Sequence, residues 1–375
     1  MSLVVRSPSS RYAFCARRTL LIAGALSVGG CIDAFDPQSE LSGARVLAVR
    51  PSPASGSPGA DVTLDMLETH GTVPPAADGA PLQIVWLGGC HNPPGRQYYT
   101  CLPLLREIAK YLDPNDAAAT SLEDAPPGIF GVGPQFHFSL PDDILSGALR
   151  VSTDPVHYGV SYVFFAACAG TLRPRPDLDD RIPLECVDAA GKPLGNRDFV
   201  VGFTTYFTYE GVQNQSPLLG GVEFAGKSLA ISASSGSAQR SCSEDAECSD
   251  STDAEDQPFA CSDTGVCAPV VQPCSKGSCR EYRLWPEVDA STAELLPDGQ
   301  HEIAWVNFYA TGGEMNSDTQ LVVDRKLGLL DGYSTRWKPP EAPGIVRLFL
   351  TLNDQRGGAD WSSFDVIVRS THKSD

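Results

Sequence analysis

From Ala44 onward the apolar residues of this chain come in short runs, and nearly every run is closed by proline, glycine, aspartate or asparagine. The first series reads "ARVLAVR" (44–50), "ADVTLDML" (60–67), "LQIVWL" (82–87), "FHFSL" (136–140), "GVSYVFFAACA" (159–169) and "DFVVGFTTYFTY" (198–209). A second series reads "HEIAWVNFYATGG" (301–313), "QLVVD" (320–324), "GIVRLFLTLND" (344–354) and "SFDVIVR" (363–369). Runs of this length, rich in β-branched and aromatic residues, are strand signals. The 35 glycines and 30 prolines are spread between them as punctuation. That spacing predicts antiparallel sandwiches and argues against strand–helix–strand units. The expected class is all-β, with Trp86 and Trp305 as the core tryptophans of two sandwiches. One helix is predicted, over Leu102–Leu112 ("LPLLREIAKYL"), where apolar residues fall at helical spacing. It reads as an insertion tied down by a loop between Cys90 and Cys101.

The N-terminus has the organisation of an export signal. Arg6, Arg11, Arg17 and Arg18 precede the apolar run "TLLIAGALSVGG" (19–30), and Cys31 follows. The run is shorter than the roughly 20 apolar residues that a membrane-spanning helix needs. "LSVGGC" resembles the lipobox of bacterial lipoproteins. The resemblance implies diacylglycerol on the Cys31 thiol and cleavage just before it. "ARRTLL" is faintly similar to a twin-arginine signal, without its usual flanking residues. Residues 1–30 then form the signal, and 31–41 a lipidated tether. Ile32 follows the cysteine, which by the same resemblance favours the outer membrane. Loss of the signal leaves 24 of the 28 basic residues against all 46 acidic ones, a net charge of −22. Such a surface repels phosphate backbones, so a nucleic-acid partner is not expected. The expected partners are the membrane, through the anchor, and an envelope protein or polysaccharide.

Of twelve cysteines, Cys15 lies in the signal and Cys31 is the lipid site; ten remain in an exported chain. That even number predicts up to five disulfides. Cys90 with Cys101, and Cys168 with Cys186, each flank a short segment and can close locally. The other six, Cys242, Cys248, Cys261, Cys267, Cys274 and Cys279, have the spacing C-x5-C-x12-C-x5-C-x6-C-x4-C. Their pairing is left open by the sequence. The segment 242–279 is so polar that covalent staples are expected to hold it in place of a core. It contains no C-x-x-C pair and no histidine, which argues against zinc.

"GVEFAGKS" (221–228) matches the phosphate-loop pattern through Gly221, Gly226, Lys227 and Ser228. A working phosphate loop needs a buried strand before it and a helix after it. Here "NQSP" (214–217) interrupts what precedes, and "LAISASSGSAQRSC" (229–242) lacks helical periodicity. The match is therefore expected to be a turn that opens a second β-domain, with Val222, Phe224 and Leu229 facing inward. Neither nucleotide nor another cofactor is expected. The histidines His70, His91, His137, His157, His301 and His372 form no metal-ligand motif, and His91 alone lies beside a constrained loop. Asp142–Asp143, Asp179–Asp180 and Asp298 are candidate acid pairs or single acids, without a calcium-loop pattern. Tyr98, Tyr99 and Tyr111 are candidates for an aromatic contact surface, or for burial under the Cys90–Cys101 loop.

"VLAVRPSPASGSPGADVTLDML" (46–67) resembles the opening strands of immunoglobulin-like modules in lipoproteins of myxobacteria and their relatives. "WKPPEAPGIVRLFLTLNDQRGGADWSSFDVIV" (337–368) resembles the end of bacterial immunoglobulin-like repeats, and "NQSPLLGGVEFAGKSL" (214–229) the joint that starts a second module. The resemblance implies two immunoglobulin-like domains, at 42–212 and 213–375. The second carries the cysteine-rich insert 242–279. The function expected is a non-catalytic envelope module that binds or spaces something at the surface. The alternative is an envelope hydrolase, or a carbohydrate-binding accessory to one, working through acidic or aromatic loop residues.

Overall fold

Alternation of burial along the chain turns the apolar runs into strands. The computed structural model describes residues 38–71, 81–103, 128–151, 156–174, 184–230, 239–248, 258–275, 277 and 279–370. The first sandwich comprises β1 (Arg45–Ser52), β2 (Asp61–Thr69), β3 (Gln83–His91), β4 (Phe130–Val132), β5 (Gln135–Ser139), β6 (Tyr158–Cys168), β7 (Thr171–Pro174), β8 (Leu184–Val187) and β9 (Phe199–Tyr209). One sheet has the order β1-β2-β5, its partner β4-β3-β6-β9, and β7-β8 forms a separate ribbon. In β2, Val62, Leu64 and Met66 point inward while the residues between them do not. They meet Trp86 of β3, Phe136 and Phe138 of β5, Val163 of β6 and Tyr206 of β9 in one core.

The second sandwich repeats this plan. Its strands are β10 (Leu219–Phe224), β11 (Lys227–Ala230), β12 (Phe259–Cys261), β13 (Cys267–Val271), β14 (Tyr282–Val288), β15 (Ala304–Ala310), β16 (Glu314–Met315), β17 (Thr319–Asp324), β18 (Gly328–Leu329), β19 (Thr335–Lys338), β20 (Gly344–Asp354) and β21 (Ala359–Val368). The sheets run β11-β10-β14-β19-β16 and β12-β13-β21-β20-β15-β17-β18. Matched in chain order, β10, β14 and β19 take the places of β1, β2 and β5. Likewise β17, β15, β20 and β21 take those of β4, β3, β6 and β9. Both are immunoglobulin-like sandwiches.

Two sequence readings need correction here. Trp305 is not the core tryptophan of the second sandwich. Along β15, Ala304, Val306 and Phe308 are fully buried, and Trp305 shares the opposite face with Asn307. The core tryptophan is Trp337 of β19, whose indole Nε1 donates to the Gly312 carbonyl at 3.0 Å. Nor is the cysteine-rich segment held by disulfides alone. Its β13 pairs in parallel with β21, through Val270↔Ile367 and Val271↔Val368, and Val271 enters the core of the sandwich. The insert thus lengthens a sheet. The helix expected over Leu102–Leu112 lies, from residue 104 on, outside the described residues. Among the described residues no helix is long and apolar enough to cross a membrane.

The described residues belong to one compact unit, and several contacts weld the sandwiches together. Before entering β1, the chain crosses the second sandwich: Leu41 N–H donates to the Ala310 carbonyl (3.0 Å), and Ala310 N–H to that of Ser39 (2.8 Å). Leu41, Tyr309 and Phe349 pack with Leu47 and Leu67 beside this crossing. Further along, Arg50 pairs with Asp360 at 3.0 Å and lies 4.2 Å over the Trp361 ring.

Candidate functional site

Gly221, Gly226, Lys227 and Ser228 lie on the hairpin of β10 and β11, not on a phosphate cradle. Ala225 and Gly226 both have positive φ (54° and 86°), as a tight two-residue turn demands. Val222 pairs with Leu229 and Phe224 with Lys227, so the backbone groups of this stretch serve the ladder. Val222, Phe224 and Leu229 are buried in the core. The Lys227 ammonium sits 4.8 Å over the Phe259 ring, and the Ser228 hydroxyl bonds Glu287. Lys227→Ala is expected to cost no more than about 1 kcal/mol, the worth of a half-buried cation–π contact with Phe259. A denaturation midpoint checks this.

All ten cysteines from Cys90 onward are in disulfides: Cys90–Cys101, Cys168–Cys186, Cys242–Cys261, Cys248–Cys267 and Cys274–Cys279. The sulfurs of Cys242, Cys248 and Cys267 lie within 4.8 Å of one another, but each is already bonded to sulfur and none is a thiolate that could hold a metal.

Among the described residues the candidate acids do not assemble a catalytic pair. Asp298 accepts from Gln300 N–H (3.0 Å) and from Arg325 (2.9 Å), and these bonds hold its carboxyl below the usual range. A general acid needs the opposite shift. Asp142 and Asp143 are exposed, and Asp179–Asp180 lie outside the described residues. Glu302 is pushed up to about 7 by burial, but it is 2% exposed and both its oxygens are held by Arg356. The histidines stay dispersed. His91 Nδ1 meets Ser161 Oγ (2.8 Å), His137 meets Thr63, His70 meets Asp198, and His301 meets the Ala293 carbonyl. Both ring nitrogens of His157 are buried without a partner, and His372 lies outside the described residues.

What the fold does gather is aromatic. On the face of β6 and β9 turned away from the core, Phe164 stands opposite Phe203 and Tyr158 opposite Tyr209 in the strand register. The loop closed by Cys90–Cys101, with its 3-10 turns Pro94–Arg96 and Tyr98–Cys101, lies across this face. Tyr98 stacks on Phe203 with centroids 4.4 Å apart, and Tyr162 meets Phe203 edge-on at 5.6 Å. The Tyr162 hydroxyl donates to the Arg96 carbonyl (3.0 Å), and the Arg96 guanidinium covers Tyr158 at 3.9 Å. Outside the loop the patch stays open: Tyr98 is 41% exposed, Tyr99 51%, Phe203 40% and Val201 41%. Tyr111 lies outside the described residues.

At the other end of β9 the two sandwiches enclose a cleft of about 410 Å³. Tyr158, Phe207 and Tyr209 supply one wall, and Leu296, Arg325 and Gln355 come from the second sandwich. Beneath it lies a knot of buried charge. Arg356 sits between Glu302 (2.8 Å from Nε) and Glu294 (2.8 Å from Nη2), with its guanidinium 5.7 Å from the Tyr209 ring. Asp354 accepts from Arg356 N–H (2.8 Å) and Gly358 N–H (2.7 Å), and burial raises its pKa. Gly357 (φ 91°) brings this turn against β9: a Cβ there would stand 2.9 Å from the Thr205 carbonyl oxygen. The sequence pointed to Tyr98 and Tyr99, but not to Phe203 or the cleft. Their signal was the alternation of "FTTYFTY" (203–209), which also describes an ordinary buried strand.

No protein-family model matches the chain, and no curated protein is detectably similar to it. Among the solved structures that are similar, the "D00-D0 domain of Intimin" matches over 88% of this chain and 99% of its own, with 9% sequence identity and a TM-score of 0.19. The strand order described above defines the fold without it.

Proposed function

We propose that this chain is a non-catalytic module of the cell envelope that binds a polysaccharide through the aromatic face of its first sandwich, tethered by lipid at Cys31, in the outer membrane. The observation that carries the reading is the open stack of Tyr98 on Phe203, with Tyr99 and Val201 beside it. Large aromatic surfaces held rigid by a disulfide-closed loop are costly to leave in water and suit a partner with flat apolar faces. The acidic surface accords with an uncharged partner. The resemblance of residues 19–31 to a lipoprotein signal supports the tether.

The test uses the chain from Ile32 onward with its disulfides intact. Co-sedimentation with insoluble polysaccharides, peptidoglycan sacculi among them, is expected to show saturable binding. Tyr98→Ala and Phe203→Ala should each weaken it by about tenfold or more, a loss typical of a central aromatic contact, while the melting temperature holds. Binding untouched by both substitutions, or found only with a protein partner, would overturn the polysaccharide reading. The anchor has its own readout: the mass of the membrane-extracted chain should begin at Cys31 and include diacylglycerol. A mass that includes Met1 removes the tether.

A further inference from the structure

The cleft and the open aromatic patch are parts of one stripe. Phe203, Thr205, Phe207 and Tyr209 alternate onto the same face of β9, so the patch at Phe203 and the cleft wall at Tyr209 stand roughly 20 Å apart. The cleft's volume of about 410 Å³ lies in the range of small-ligand sites, and such sites favour the joints between domains. Its chemistry selects among ligands. Arg325 is committed to Asp298 (2.9 Å) and Gln300, and Arg356 to Glu294 and Glu302, so neither offers an unpaired charge to an anion. What remains is the cluster in which Phe207 meets Tyr158 edge-on and stacks on Tyr209, with Arg96 already over one face of Tyr158, and the exposed Gln355 amide. A fitting ligand has an apolar face for the rings and an uncharged hydroxyl edge for the amide.

We propose that the intermodule cleft is a binding site for a neutral mono- or disaccharide, the end of a glycan whose following sugars run along β9 toward Phe203. The partner's class rests on the polysaccharide-binding reading above, but the site itself is separate from the Tyr98–Phe203 patch. The cleft lies at the end of β15 where Ala304 pairs with Asp354, and residues 39–41 cross the opposite end at Ala310. The cleft therefore lies roughly 20 Å, the length of that strand, from residues 39–41.

The experiment titrates the disulfide-intact chain from Ile32 onward with maltose, cellobiose and N,N′-diacetylchitobiose, with glucuronate as the charged control. It is followed by saturation-transfer NMR and calorimetry. At least one neutral disaccharide is expected to bind with a millimolar or lower Kd. Leu296→Trp, which fills the cleft from a surface loop, and Gln355→Ala, an exposed position, should each weaken it by about tenfold or more at unchanged melting temperature. Phe203→Ala should leave disaccharide affinity unchanged. The inference is overturned if no neutral disaccharide binds, if glucuronate alone binds, or if Leu296→Trp has no effect. Polymer binding lost in Phe203→Ala but untouched in both cleft variants would remove the cleft and keep the aromatic face. Disaccharide binding lost only in the cleft variants, with polymer binding blind to Phe203→Ala, would do the reverse.

Discussion

An Arg356→Met chain is expected to be about 3–5 kcal/mol less stable than the native one at pH 8, the usual cost of removing one partner from a buried ion pair. Arg356 is 8% exposed and Glu302 2%, and the guanidinium also holds Glu294. Methionine can fill the space but leaves those carboxylates, with Asp354 beside them, facing one another without a cation. The sign of the pH dependence follows. Burial raises Glu302 from 4.5 to about 7, so the folded chain holds a proton there that the unfolded chain has released. Its contribution is fully present below about pH 4.5 and is lost as pH rises through 7. Native stability should therefore increase from pH 8 to pH 5 by up to about 3 kcal/mol through this group. Glu302→Gln should flatten that slope, and in the Arg356→Met background it should recover part of the loss. Urea midpoints of the four chains at pH 8 and pH 5 read out all of these effects. An Arg356→Met chain as stable as the native one, or a Glu302→Gln chain with the native slope, would show that the knot is neither buried nor coupled as described.

The position of this knot gives it a consequence for function. Asn214 lies in the linker between the sandwiches, and its backbone N–H donates to Ser55 of the first at 3.0 Å. Its side chain and Asp354 Oδ2 are buried without other partners. The same turn sets Gly357 against β9, whose aromatic side chains line the cleft. Loss of the knot would thus loosen the cleft wall before it unfolded either core. The joint combines this charge cluster with the Leu41–Tyr309–Phe349 packing at the other end of β15.

Much of the architecture was legible because β-structure writes itself into period-2 alternation. "DVTLDMLET" reads directly as β2, and the even set of ten distal cysteines reads as staples. The hairpin at Gly221–Ser228 was legible as well, since a phosphate loop makes demands on both flanks that the sequence does not meet. What stayed hidden depends on which face of a strand looks inward. "EIAWVNFYA" carries large apolar residues on both faces, and Asn307 is the one polar sign that Trp305 turns away from the core. β13 was hidden for another reason: "CAPVV" is short, sits among polar residues, and gains its burial only by parallel pairing with β21, a partner about 100 residues away. The knot is long-range too. Glu294, Glu302 and Arg356 look like solvated charges until the turn after β20 brings them together.

The two tryptophans allow the inward and outward faces to be separated by experiment. Trp337→Ala is expected to destabilise the chain by about 3–5 kcal/mol, the range for deleting a large aromatic from a close-packed core. Trp337 is fully buried among Phe224, Tyr282 and the strands of both sheets, and its Nε1 donates to the Gly312 carbonyl. Next to it Gly313 (φ 86°) passes so close that a Cβ there would stand 2.6 Å from that nitrogen, so the backbone has no slack with which to fill the void. Trp305→Ala removes the same number of atoms from a half-buried position on the outer face of β15, beside Asn353 and Gly357. Its cost should be nearer 1 kcal/mol, because the side chain gives up only part of its area and leaves no closed cavity. Chemical denaturation of both variants, followed by circular dichroism, measures the difference directly. Equal losses, or a larger loss at Trp305, would reverse the face of β15 and with it the core of the second sandwich. A large loss at Trp337 alone would place the second core where β19 meets β10, β14 and β21.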